Sequence, residues 1–118
     1  VYRFRWTDRE RFVETLDRLR LSHLQLLHIV ATTTTGKPGM YMGGISETLT
    51  WKMPDTPLDD IRRDWDDLAR ENLLHAYPSG TMSAAGAGDL ASRVTPYGRE
   101  FIRLLALERD APTSEGVR

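Results

Sequence analysis

The chain contains no cysteine, which excludes disulfides, thiolate zinc centres and a cysteine nucleophile. It also lacks any apolar run near the roughly 18 residues that a membrane span requires, and no basic-then-apolar leader opens it. A cytoplasmic protein without membrane association is therefore expected. Charge of one sign is missing too. Sixteen Lys and Arg face 17 Asp and Glu, leaving a net charge of −1, whereas domains that bind polyanions without specificity are usually strongly basic. What is present is the make-up of an ordinary globular domain: 118 residues, 40% apolar and 28% charged. That is enough chain for one domain that buries about two-thirds of its unfolded surface.

The charge is unevenly placed. Residues 1–20 carry six arginines against four acids, while residues 54–72 carry seven acids against three arginines. One short segment is thus acidic on a mildly basic body.

The opening Val1-Tyr2-Arg3-Phe4-Arg5-Trp6 alternates aromatic and arginine with period two, which predicts an N-terminal strand over 1–6. Thr7-Asp8-Arg9-Glu10 reads as a capping box for a helix with its stripe on Phe12, Val13, Leu16 and Leu19. Ser22-His23-Leu24-Gln25 reads as a second box. The helix it opens is apolar nearly all round (Leu24, Leu26, Leu27, Ile29, Val30) and should be the central buried one. Ile45, Leu49 and Met53 recur every fourth residue and suggest a short helix, with strand as the rival that Thr48, Thr50 and Trp51 favour. Thr56-Pro57 with Asp59-Asp60 then marks a clear helix start. That next helix buries Leu58, Ile61, Trp65 and Leu68, and Asn72 can end it in a left-handed conformation. Trp65 is expected against Leu27, Ile61 and Phe101. Residues 73–77 and 91–94 read as paired strands. The tip between them, 80–90, is nearly all Gly, Ala, Ser, Thr and Asp, with little side chain to pack, and reads as mobile. Thr95-Pro96 opens a last helix carrying Tyr97, Phe101, Leu104 and Leu105. The polar residues 110–118 read as a disordered tail, leaving 1–109 as a single domain.

The run Pro57-Leu58-Asp59-Asp60-Ile61 through Leu68-Ala69-Arg70-Glu71-Asn72-Leu73-Leu74, then a hairpin and Thr95-Pro96-Tyr97-Gly98-Arg99-Glu100-Phe101, resembles the winged helix-turn-helix superfamily of bacterial regulators. A looser resemblance is to the Abi-alpha domain, whose function is unknown. The resemblance implies an α+β, winged-helix-like fold: a helical core, a β-hairpin wing and a C-terminal helix. It also implies that the helix from Leu58 enters double-stranded DNA, with Arg62, Arg63, Arg70 and the wing's Arg93 as contacts. Groove binding requires cations facing phosphates and Arg, Asn or Gln facing base edges. This helix alternates Asp with Arg at i,i+4 and is net acidic, the pattern of a solvated, ion-paired face. A protein partner is thus the alternative, met by that helix or by the aromatic edge Tyr2 and Phe4. The second apolar face of the last helix, Ile102 and Ala106, suits a homodimer.

Catalytic chemistry finds little support. His23 and His28 lie five apart, about 140 degrees round a helix, so they cannot share a metal as an i,i+4 pair would. The adjacent pairs Asp59-Asp60 and Asp66-Asp67 diverge on a helix and lack the facing geometry of an acid/base couple. Gly86-Ala87-Gly88 lacks the lysine of a phosphate loop. A non-enzymatic domain without metal or cofactor is expected.

Overall fold

The computed structural model describes residues 6–39, 42–78 and 82–109. The order is α1 (Trp6–Arg18), α2 (Leu21–Thr32), β1 (Met42–Gly43), α3 (Ile45–Lys52), α4 (Leu58–Arg70), β2 (Met82–Ser83), α5 (Ala84–Gly88), a 3-10 turn (Ala91–Arg93) and α6 (Pro96–Arg109). Two helices of opposite character meet at the centre. In α2, which carries no Asp, Glu, Lys or Arg, Leu26, Leu27 and Val30 are fully enclosed. In α4, charge covers one face and only Ile61, Trp65 and Leu68 are buried. Burying such a stripe against an apolar helix is what holds a helix pair in water. α1 and α6 close the other side: the Phe12 and Phe101 rings lie 5.0 Å apart, and the Thr15 and Tyr97 hydroxyls are hydrogen-bonded at 2.9 Å. Trp65, Leu27, Ile61 and Phe101 belong to one core cluster, as the stripe predicts.

The winged-helix-like α+β architecture is not what forms. The described residues are mostly helical, with strand confined to two two-residue pieces paired antiparallel, Met42 with Ser83 and Gly43 with Met82. No β-hairpin wing is seen among them. The two segments expected to pair, 73–77 and 91–94, touch at a single bridge, Leu74 with Val94. The physical reasons are local. Leu73 and Leu74 are both buried, so this segment does not alternate as a half-buried strand must. Asp89 takes Ser92 into a turn, accepting its backbone N–H at 3.3 Å on Oδ1 and its hydroxyl at 3.0 Å on the main-chain oxygen. That winds 91–93 into 3-10 form instead of strand.

The described end of the 80–90 segment has packing partners that its composition does not announce. Ala87, Gly88 and Leu90 are buried, and Thr48 Oγ1 donates to the Ala87 carbonyl at 2.9 Å. A Cβ on Gly88 would lie 2.0 Å from the Gly36 nitrogen. Small residues here do not lack partners; they let one backbone lie directly on another. At the N-terminus, helix already runs from Trp6, which the expected strand included; residues 1–5, with Tyr2 and Phe4, lie outside the described residues, as do 80–81 and 110–118.

The start of α6 follows its sequence signal. Thr95 Oγ1 accepts the Gly98 amide at 2.8 Å, as an N-cap does, and donates to the Asn72 carbonyl at 2.6 Å. Asn72 itself is left-handed at φ 64, the conformation expected of it, and turns the chain sharply out of α4. The α6 cap is thereby bolted to the end of α4. Gly98 is required because a Cβ there would sit 2.1 Å from the Leu73 carbonyl oxygen. Gly98→Ala is predicted to destabilise the fold by about 1–3 kcal/mol through overpacking, although alanine is the better helix former. Urea unfolding checks this: a stabilised variant would show that the close approach is absent.

Candidate interaction surface

α4 carries five aspartates and three arginines, and its outer face holds three of the residues expected to contact DNA. Arg62, Arg63 and Arg70 are all exposed, yet each is engaged within the chain. The Arg62 guanidinium lies over the Tyr77 ring, 4.5 Å from its centroid. Arg63 pairs with Asp60 at 3.1 Å, and Arg70 pairs with Asp67. Lys52, at the end of α3, sits over the Trp51 ring at 4.9 Å. By contrast, exposed Asp55, Asp59 and Asp66 make no hydrogen bond or ion pair among the described residues. Flanking the α3–α4 turn, Trp51 is 38% and Leu58 36% exposed. The expectation that Leu58 is buried fails, because it opens the helix on the rim of the turn. Among the described residues, the unpaired charges on this surface are therefore anionic, and exposed apolar side chains lie at the α3–α4 turn.

Tyr77 owes its place to Trp65. The two rings meet edge to face at 5.4 Å, and the Trp65 indole N–H donates to the His75 carbonyl at 2.9 Å. Burial pushes the Tyr77 hydroxyl above its usual range, while the nearby Arg62 charge works in the opposite direction.

A second polar constellation lies where the α1–α2 turn meets the C-terminal end of α4. A pocket of about 400 Å³ is lined there by Arg18, Arg20, His23, Asp67, Arg70 and Glu71. The expected box from Ser22 is replaced by one set two residues earlier: Arg20 is the N-cap and His23 the third helical residue. The Arg20 backbone N–H donates to His23 Nδ1 at 2.9 Å. Nδ1 is therefore the unprotonated nitrogen, and the hydrogen sits on Nε2. That N–H donates to Asp67 Oδ2 at 2.9 Å, with Asp64 Oδ1 at 3.4 Å. Outside this pair, Arg18 and Glu71 form a two-pronged bridge at 2.8 and 2.9 Å.

His23, Asp64 and Asp67 bring three metal-type donor atoms within 4.8 Å of one another. The ring, however, turns a hydrogen and not a lone pair toward the carboxylates. Ligation through Nε2 would move a hydrogen onto Nδ1, against the Arg20 N–H. The donor set as wired is a hydrogen-bonded tie between α2 and α4.

The remaining expected sites are dispersed. Arg93 ends the 3-10 turn and is half-buried. Ile102 is half-buried against the core, and Ala106 is exposed. Sequence reasoning sets aside a shared metal for His23 and His28 but does not place His23 at the cap. Its place three residues after the cap is the signal of its actual role, since the third helical position is where a side-chain acceptor serves the cap N–H.

Among known proteins, no family model, curated protein or solved structure matches the chain.

The Asp67 carboxyl is held below its ordinary value of 3.8, first by the His23 hydrogen bond, with the Arg70 charge adding to it and burial opposing. A depressed folded-state value stabilises fully above 3.8, and the contribution is lost as the pH falls below it. Asp67→Ala is predicted to cost about 1–3 kcal/mol at pH 7 by leaving a buried N–H poorly paired. In urea unfolding, the gap to the parent should narrow as the pH is lowered below 4. A gap that stays constant would show that the carboxylate plays no such part.

Proposed function

We propose that the chain is a non-enzymatic binding domain whose α3–α4 surface recognises another protein. The observation that carries this reading is the division of charge on that surface. Every Lys and Arg from Lys52 to Arg70 is engaged by the chain's own groups, while Asp55, Asp59 and Asp66 have no hydrogen bond or ion pair among the described residues. DNA would meet carboxylates there, and each cation offered to a phosphate would first have to leave its partner. A protein partner can instead use these carboxylates for orientation, with Trp51 and Leu58 as apolar anchors.

One observation favours a second reading, contact with DNA. α3, a five-residue turn and α4 form a helix-turn-helix pair, and Arg63 and Arg70 lie on the exposed side of its second helix. A fluorescence titration against a pool of random-sequence duplexes at low salt separates the two. The protein reading expects no binding at micromolar concentration, and expects Asp59→Lys with Asp66→Lys to create it by reversing the charge there. It expects the same double variant, and Trp51→Ala, to lose a partner captured by photocrosslinking from Thr50. Duplex binding by the parent chain that falls on Arg63→Ala would overturn the protein reading in favour of DNA.

A further inference from the structure

The outer face of α4 carries an order of charges that is complementary to itself. An α-helix turns by about 100 degrees per residue, so Asp59, Arg63, Asp66 and Arg70 fall within about 60 degrees of one another. All four are exposed, and they lie opposite the buried Ile61, Trp65 and Leu68. Read along the helix, the stripe runs acid, base, acid, base. Turned end for end about a twofold axis beside the Asp64–Trp65 peptide, it sets Asp59 against Arg70 of a second copy and Asp66 against Arg63. The twofold returns the same two contacts from the other side, as an isologous interface requires. No other antiparallel register gives all four residues an opposite charge, and a parallel pairing in register would lay like on like.

We propose that α4 pairs antiparallel with α4 of a second copy of this chain through that stripe. The proposal rests on the protein-binding reading of the α3–α4 surface and names the partner. Within α4, the carboxylates with no hydrogen bond or ion pair among the described residues are Asp59 and Asp66. They are the two that a second copy would meet with arginine. Arg63 and Arg70 need not leave Asp60 and Asp67 to do so. Those two acids lie on one flank of the stripe, and a guanidinium with five N–H groups can serve a second carboxylate. The pairing therefore extends the ion pairs already present into one network across the twofold. A contact between two helices of 13 residues is small, and its apolar area comes mainly from the stems of the arginines. It belongs with weak, transient associations, and its exposed pairs are sensitive to salt.

Analytical ultracentrifugation of the parent and of charge-swap variants with unchanged net charge tests the pairing, at up to about 1 mM protein because the contact is small. Asp59→Arg with Arg70→Asp exchanges the two members of one facing pair, and Asp66→Arg with Arg63→Asp exchanges the other. Both should associate within about threefold of the parent, since every facing pair stays opposite in sign. Asp59→Arg with Arg63→Asp, and Asp66→Arg with Arg70→Asp, instead bring like charges face to face. These two should weaken association by about tenfold or more. Far-UV circular dichroism shows which variants are folded, and having two of each kind preserves the comparison if one is not. Association of the parent should also fall as salt rises from about 20 mM to about 500 mM. A parent chain that stays monomeric at about 1 mM protein in low salt overturns the proposal. Equal effects from the two kinds of swap overturn it as well, because a pairing in this register must tell them apart. Neither result alters the duplex and Trp51→Ala tests of the protein-binding reading, so failure of the pairing and failure of that reading are distinguishable.

Discussion

The indole of Trp65, wholly enclosed within the face of α4, governs the path of the chain beyond that helix. Its N–H donates to the His75 carbonyl at 2.9 Å, and its ring meets that of Tyr77 in a T-shaped contact at 5.4 Å. A buried indole N–H has to find an acceptor, and the one it finds lies ten residues on. The chain after α4 is therefore drawn back along the helix that it has just left. Leu73 and Leu74 are buried in succession, and Tyr77 presents a ring face on which Arg62 rests. One side chain thus links the core to the fate of a surface arginine. Beside it, Thr95 and Gly98 dock the start of α6 on Asn72 and Leu73, fixing the far end of the same segment.

Elements with a strong helical pattern are legible in the sequence alone. Leu26, Leu27 and Val30 mark α2 as the central helix, and Ile61, Trp65 and Leu68 mark the inner face of α4. Asn72 and Thr95 mark where one helix ends and another begins. These signals are local, so no tertiary context overrides them. Residues 73–78 and 86–94 are not legible in this way, because their conformation depends on distant partners. Whether Gly88 is a loop residue or a packing surface depends on Gly36, fifty-two residues earlier, and nothing in the local composition tells the two apart. The same holds for Leu58, whose apolar character matches the stripe but whose place at the rim of a turn exposes it.

The candidate interaction surface is legible in part. The net acidity of residues 54–72 and the i,i+4 alternation of Asp with Arg announce an ion-paired face. The actual pairs differ in detail, Asp60 with Arg63 and Asp67 with Arg70 at i,i+3. The stacked position of Arg62 has no local signal, since Tyr77 reaches it only through Trp65. His23 illustrates the same limit: its helix is legible, but its partners Asp64 and Asp67 come from a helix about forty residues away.

The central claim is that residues 73–77 pack on α4 and residues 88–91 on the Thr33–Gly36 loop, not as a two-stranded wing projecting from the domain. Nuclear Overhauser contacts across these segments test it most directly. The account predicts helical sequential contacts through Ala84–Gly88, contacts from Gly88 to Gly36, and Tyr77 ring protons close to Trp65. A ladder of cross-strand α-proton contacts running through both 73–77 and 91–94, with none between Gly88 and Gly36, would contradict it.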